Sequence, residues 1–143
     1  MALSGNKGEW SEIYALLRLL ADGLLYEGDE RGQVLREFFY PIVEIMRQEK
    51  HSQIIYRIKE GDVIVLNDIG DELVKLPMSS FSMYATDLFE QIKSRSGTFS
   101  LDATEKFLST IQCFSIKAYS ASKADICIVV HDPRTLINPS LNF

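Results

Sequence analysis

Two acids and two lysines are the residues of this chain whose types and positions could do chemistry. Asp125 stands directly before Ile126-Cys-Ile-Val-Val130. If that run is extended, Ile126, Ile128 and Val130 fall on one face and Cys127, Val129 and His131 on the other. Both faces are then largely apolar, the pattern of a central strand in a mixed sheet covered on both sides. A carboxylate opening such a strand must be neutralised, hydrogen-bonded or metal-bound. Glu12, on an N-terminal helix, is the second acid, and hard cations such as Mg²⁺ take carboxylate oxygens that a helix and a strand could supply. Lys117 and Lys123, in the polar stretch before Asp125, could contact phosphate or pair with local acids. Each residue also has a plainer reading. Asp125 would be a turn residue at the start of a strand, Glu9 and Glu12 a solvated pair at the positive end of a helix dipole, and the lysines solvated charges.

The elements that must position these groups follow from periodicity. Ile13, Leu16, Leu17, Leu20 and Ala21 recur at helical spacing within residues 4–22; Ser4 or Asn6 can cap the start, and Gly23 stops the helix. Leu24 to Tyr26 reads as a short strand, followed by a polar turn through Gly28, Asp29, Glu30 and Gly32. Phe38 to Met46 reads as a strand at an edge or kinked, because Pro41 lacks a ladder donor. Ile54, Tyr56 and Ile58, then Glu60-Gly61-Asp62, then Val63 and Val65 form the clearest hairpin, and Leu73 to Leu76, closed by Pro77, extends the sheet. Ser80 to Lys93 puts Phe81, Tyr84, Leu88, Phe89 and Ile92 on one helical face. Ser100 to Gln112 does the same with Leu101, Thr104, Leu108 and Ile111, opened by Asp102 with Glu105 three residues on. Residues 131–143 are rich in turn formers and read as a long hairpin loop. On that reading the strand after Asp125 is left with an exposed edge, which would drive self-association.

Composition bounds the class. The 143 residues are 46% hydrophobic and 24% charged, as expected of one soluble domain spanning 1–143. No apolar run reaches the roughly 20 residues of a membrane span, and the N-terminus lacks a secretory pattern, so a cytoplasmic protein without a membrane partner is expected. Cys113 and Cys127 have no metal-ligand spacing and read as reduced core residues. A net charge of −5 argues against wrapping nucleic acid by bulk electrostatics, though not against a local basic patch.

There is no Gly-rich phosphate loop, His-Glu-x-x-His pair or Gly-x-Ser-x-Gly elbow, which disfavours nucleotide-binding, kinase and serine-hydrolase readings. His51 and His131 read as ordinary surface or strand-end histidines. A resemblance points elsewhere. Lys7-Gly8-Glu9-Trp10-Ser11-Glu12 resembles the KGxxxE helix of PD-(D/E)xK nucleases. Together with Lys117-Ala118, Ser120, Ser122-Lys-Ala-Asp125-Ile and Val-Val-His-Asp132, it resembles the N-terminal half of the HpaII restriction endonuclease family.

The resemblance implies an α/β class fold, an α+β mixed sheet with a restriction-endonuclease-like core, incomplete here: an N-terminal helix, a β-hairpin region and two further helices. It implies the N-terminal part of a type II restriction endonuclease, Mg²⁺-dependent, cutting double-stranded DNA at a short palindrome, CCGG, with a homodimer as one assembly. Asp125 and Glu12 would be its catalytic, metal-binding acids, approaching each other at one end of the strand. Lys117 and Lys123 are the candidate phosphate contacts. One departure matters: no strand carrying an acid or its substitute, one residue, then a lysine follows Asp125. The expected place for the catalytic lysine is therefore beyond Phe143, which leaves the chain inactive alone. The alternative is a non-catalytic interaction or regulatory domain on the same scaffold; KGxxxE by itself would also suit a junction-resolving or repair nuclease.

Overall fold

The computed structural model describes residues 3–28, 34–49, 52–114, 126–131 and 139–142. The N-terminal periodicity gives helix α1 (Lys7–Asp22). Asn6 caps it through a reciprocal box, its side chain accepting from the Glu9 N–H while Glu9 accepts from the Asn6 N–H. Gly23 ends it in the left-handed region at φ 68°, donating its N–H to the Leu19 carbonyl. An added Cβ at Gly23 would meet the Met78 methyl at 2.8 Å, which the flexible methionine can relieve by moving, so it is the positive φ that favours glycine here.

Among the described residues seven strands follow: β1 (Leu24–Gly28), β2 (Val34–Gln48), β3 (Gln53–Lys59), β4 (Asp62–Leu66), β5 (Glu72–Pro77), β6 (Ile126–Val130) and β7 (Ser140–Asn142). Helices α2 (Met78–Ser94) and α3 (Asp102–Thr110) lie between β5 and β6. The sheet order is β5-β4-β3-β2-β6-β7, with β1 paired to β2 outside this path, and every described pairing is antiparallel. The class is α+β, as expected. The β3–β4 hairpin turns on Glu60 and Gly61, both at positive φ (53° and 83°), the geometry that matches strand twist.

The Pro41 strand is not at an edge. It is the 15-residue β2, and Pro41 sits where its partner changes. Residues up to Pro41 pair with β1; Glu44–Gln48 pair with β3 on one side, while Ile42–Arg47 pair with β6 on the other. A register shift between Ile42 and Glu44 accommodates the changeover. The expectation of an exposed edge on the Ile126 strand is also overturned. Ser140–Asn142 pair with Val129–Cys127, so β6 lies between β2 and β7.

Registers place Ile42, Ile45, Tyr56, Val63, Val65, Ile128 and Val130 on one face, where all are buried with Trp10, Ile13, Leu17 and Leu20 of α1, Phe81 and Leu88 of α2, and Leu108 of α3. Each such side chain contributes about 1.5–3 kcal/mol of transfer free energy. The residue preceding α3 departs from expectation: Leu101 occupies the cap position and makes no side-chain bond, while Asp102 and Glu105 fall in the first turn. The other end of α3 closes in a Schellman motif, Cys113 N–H to Leu108 O and Gln112 N–H to Ser109 O, with Gln112 at φ 64°.

These two helix ends make opposite predictions. Gly23→Ala is expected to lower stability by about 1–2 kcal/mol, since an L-residue is strained there. Gln112→Gly is expected to raise it by up to about 1 kcal/mol, less the entropy that glycine adds to the unfolded chain. Urea denaturation of the two variants measures both signs.

Candidate active site

Glu12 is carried by the part of α1 that is most firmly held. Trp10, fully buried, donates its indole N–H to the Phe99 carbonyl at 3.0 Å and stacks on the Phe99 ring at 6.1 Å between centroids. Gly5 and Phe99 exchange backbone bonds of 3.1 and 2.9 Å, tying the start of α1 to the α2–α3 connection. Glu9 is engaged in the cap; Glu12 is exposed. Among the sequence-predicted site residues Glu12 alone is described. Asp125, Lys117 and Lys123 lie outside the described residues, as does His51, so the expected approach of Glu12 to Asp125 is not on view. Among the described residues no group of three or more His, Cys, Asp or Glu side chains is arranged to hold a metal.

The strand that follows Asp125 leads instead to charged residues that the sequence reading missed. Ile126 pairs with Arg47 of β2. Arg47 is 3% and Glu49 6% exposed, and the Arg47 guanidinium donates from Nη1 to Glu49 Oε1. Alternation along β2 explains their position: Ile45, Arg47 and Glu49 share the core-facing side. The Glu49 N–H donates to the Ser52 carbonyl at 2.8 Å, and Gln48 Nε2 bonds the Glu49 and Ser52 carbonyls at 2.9 and 3.3 Å.

Beside this pair, Tyr56 is fully buried and donates its hydroxyl to the Ile111 carbonyl at 2.9 Å, supplying a partner to the last turn of α3. Burial, with the nearby Cys113 thiol adding to it, holds the Tyr56 phenol well above its usual pKa. Burial likewise raises the Glu49 carboxyl above its ordinary 4.5, opposed by Arg47. The arrangement is suited to fixing backbone. Its carboxylate faces a guanidinium, so it is not itself a cation site.

A family model described as HpaII restriction endonuclease matches residues 6–143. The chain belongs to the HpaII restriction endonuclease family. A curated relative of this family, the type II restriction enzyme HpaII of Haemophilus parainfluenzae, is 42% identical over 142 residues, covering 98% of the chain. The chain spans 39% of that relative's length. No solved structure matches it. Among the described residues no helix is long and apolar enough to cross a membrane.

Removing one member of the buried pair should be costly. Arg47→Ala is expected to destabilise by about 3–5 kcal/mol, because it strands a carboxylate in the interior. The pH dependence has a definite sign. A carboxyl whose folded-state pKa is raised contributes stability that is complete below its unfolded value and is lost as pH rises through the folded one. Glu49→Gln removes that titration. Denaturation across pH should therefore show wild-type stability, measured against Glu49→Gln, declining as pH rises from 4.5 through the raised carboxyl value.

Proposed function

We propose that the chain is the N-terminal part of a type II restriction endonuclease that hydrolyses phosphodiester bonds of double-stranded DNA with Mg²⁺ at a short palindrome, CCGG. The family match over residues 6–143, with 42% identity to a type II restriction enzyme, is the observation that carries this reading. Asp125 and Glu12 are the proposed metal-binding acids. Carboxylate oxygens are the donor set that Mg²⁺ prefers, and Glu12 is an exposed carboxylate on a helix pinned by Trp10. Bound there, the metal would activate the attacking water and stabilise the departing 3′ oxygen. Lys117 and Lys123 are the proposed phosphate contacts. A palindrome has two-fold symmetry, which a homodimer matches. The proposed place of action is the cytoplasm.

The catalytic lysine belongs, on this reading, to the part of the protein that these residues do not cover. The chain's 39% share of its relative supports that assignment. In the β6–β7 pairing, β7 is an antiparallel neighbour of the strand that follows Asp125, and Asn142 stands opposite Cys127. The same pairing favours a second reading, a non-catalytic domain on the nuclease-like scaffold, because β6 already has both neighbours.

Calorimetric titration with Mg²⁺ separates the two. The nuclease reading expects the purified chain to bind the ion and Asp125→Ala or Glu12→Ala to lose it. Glu12→Ala should change stability by no more than about 0.5 kcal/mol, as for an exposed side chain, so any lost binding would be specific. Absence of binding by the wild-type chain would favour the scaffold reading. The chain alone is expected not to cut DNA, since metal chemistry without the lysine performs only part of the work. Robust Mg²⁺-dependent cleavage by these 143 residues, abolished by Asp125→Ala, would contradict that expectation.

A further inference from the structure

The registers that build the core also fix what lies on the other face of the sheet. Cys127, Met46, Ile55 and Leu66 stand opposite one another across β6, β2, β3 and β4. Two positions along, Val129, Glu44, Arg57, Ile64 and Lys75 form a second row that reaches β5. Leu66 is buried and the five other apolar side chains of these rows are half-buried, yet none of the six belongs to the core that α1, α2 and α3 cover or packs against it. Among the described residues the three helices therefore serve one face, and the opposite face carries a second apolar surface.

An antiparallel sheet with one face in water alternates apolar inward with polar outward. Here both phases are apolar at the centre of the sheet: Ile128, Ile45, Tyr56 and Val65 on one side, Cys127, Met46, Ile55 and Leu66 on the other. The neighbouring charges are paired among themselves, Arg57 Nε lying 3.2 Å from a Glu44 carboxylate oxygen and Lys75 Nζ 3.6 Å from one of Asp62. Paired charges beside an apolar row suit a protein layer and not a phosphate backbone, which calls for uncompensated cations. Four strands at their usual spacing and two side-chain rows make a face on the order of 300 Å². A stable contact between separate chains takes about 800 Å² per partner, so a second copy fits poorly. A covalently joined segment meets the same face at high effective concentration. The chain spans 39% of the length of its curated relative, which leaves ample polypeptide for such a segment.

We propose that this face is an internal docking surface, covered by an apolar face of the part of the protein outside residues 1–143. The inference rests on reading the chain as part of a longer protein; it does not depend on the nuclease chemistry.

Cys127 makes the face testable, because it lies within it while Cys113, fully buried in the core, is an internal reference. Alkylation by iodoacetamide is followed by mass spectrometry on the 143-residue chain and on the full-length protein. In the 143-residue chain Cys127 is expected to react about tenfold or more faster than Cys113, and in the full-length protein its rate is expected to fall by about tenfold or more. Ile64→Lys supplies a second readout should the 143-residue chain not fold alone. It is expected to lower the Tm of the full-length protein by about 5 °C or more, because the ammonium would be buried, while Ile69→Lys, at a position 78% exposed, serves as the control. Equal Cys127 rates in the two proteins, an Ile64→Lys loss no larger than that of the control, or a full-length protein with nothing beyond these residues would overturn the proposal. So would concentration-dependent protection of Cys127 in the 143-residue chain with a dimer mass by light scattering, which would assign the face to a second copy. Protection of Cys127 in a full-length protein that does not cut DNA would support the covering and overturn the nuclease reading instead.

Discussion

The middle of β2 has to satisfy two neighbours at once, and the rest of the structure is arranged around that requirement. Glu44 to Arg47 are laddered to β3, close in sequence, and to β6, about eighty residues away. The first pairing joins strands only a few residues apart, closed by the Glu49 N–H bonding the Ser52 carbonyl. The second has no local cause, and loop closure over that separation opposes it. Side chains on the shared face decide it. Ile128, Ile45, Tyr56 and Val65 form one row across four strands, all buried beneath the helices. A slip of one residue in β6 would turn Ile128 and Val130 away from the core and bring Cys127 and Val129 in.

Charge enters the same face one step further along. Ile45 is followed on that face by Arg47 and Glu49, where alternation alone would place apolar residues. Their burial is sustained by mutual pairing, and even so the carboxyl is held above its ordinary pKa. Desolvation therefore outweighs the attraction at Glu49. A core optimised for stability alone would not carry this pair.

Much of the fold was legible because its signals are local. The helix from Lys7 to Asp22, the Glu60-Gly61 hairpin, the strand closed by Pro77 and the two later helices all follow from period, cap and turn chemistry. Of the two readings of Pro41, edge or kinked, the edge was misleading, because β2 there passes from β1 to β3 on one side while β6 begins on the other, a long-range fact. The short β7 was hidden for a related reason: Ser140-Leu-Asn142 follows Pro139 in a turn-rich stretch, and only its pairing with β6 makes it a strand. Arg47 and Glu49 left a faint signal, two charges in phase with Ile45, which reads equally well as a solvated strand end. Family membership was legible in the two end motifs; Asp125, in the second of them, lies outside the described residues.

The two acids of α1 show how local structure can divide otherwise equivalent residues. Glu9 and Glu12 are three apart and near the positive end of the same helix, and by sequence either could serve as a free carboxylate. The cap separates them. Asn6 supplies an acceptor to the Glu9 N–H, and the Glu9 carboxylate reaches back to the Asn6 N–H. Glu9 is thereby committed to starting the helix. Trp10, the next residue, is locked against Phe99 by its ring and its N–H, which fixes the rotation of the helix about its own axis. Rotation fixed in this way leaves Glu12 outside the core. Among the described residues Glu12 is thereby an exposed carboxylate on a backbone held in place by its neighbours, while Glu9, one turn earlier, is tied into the cap.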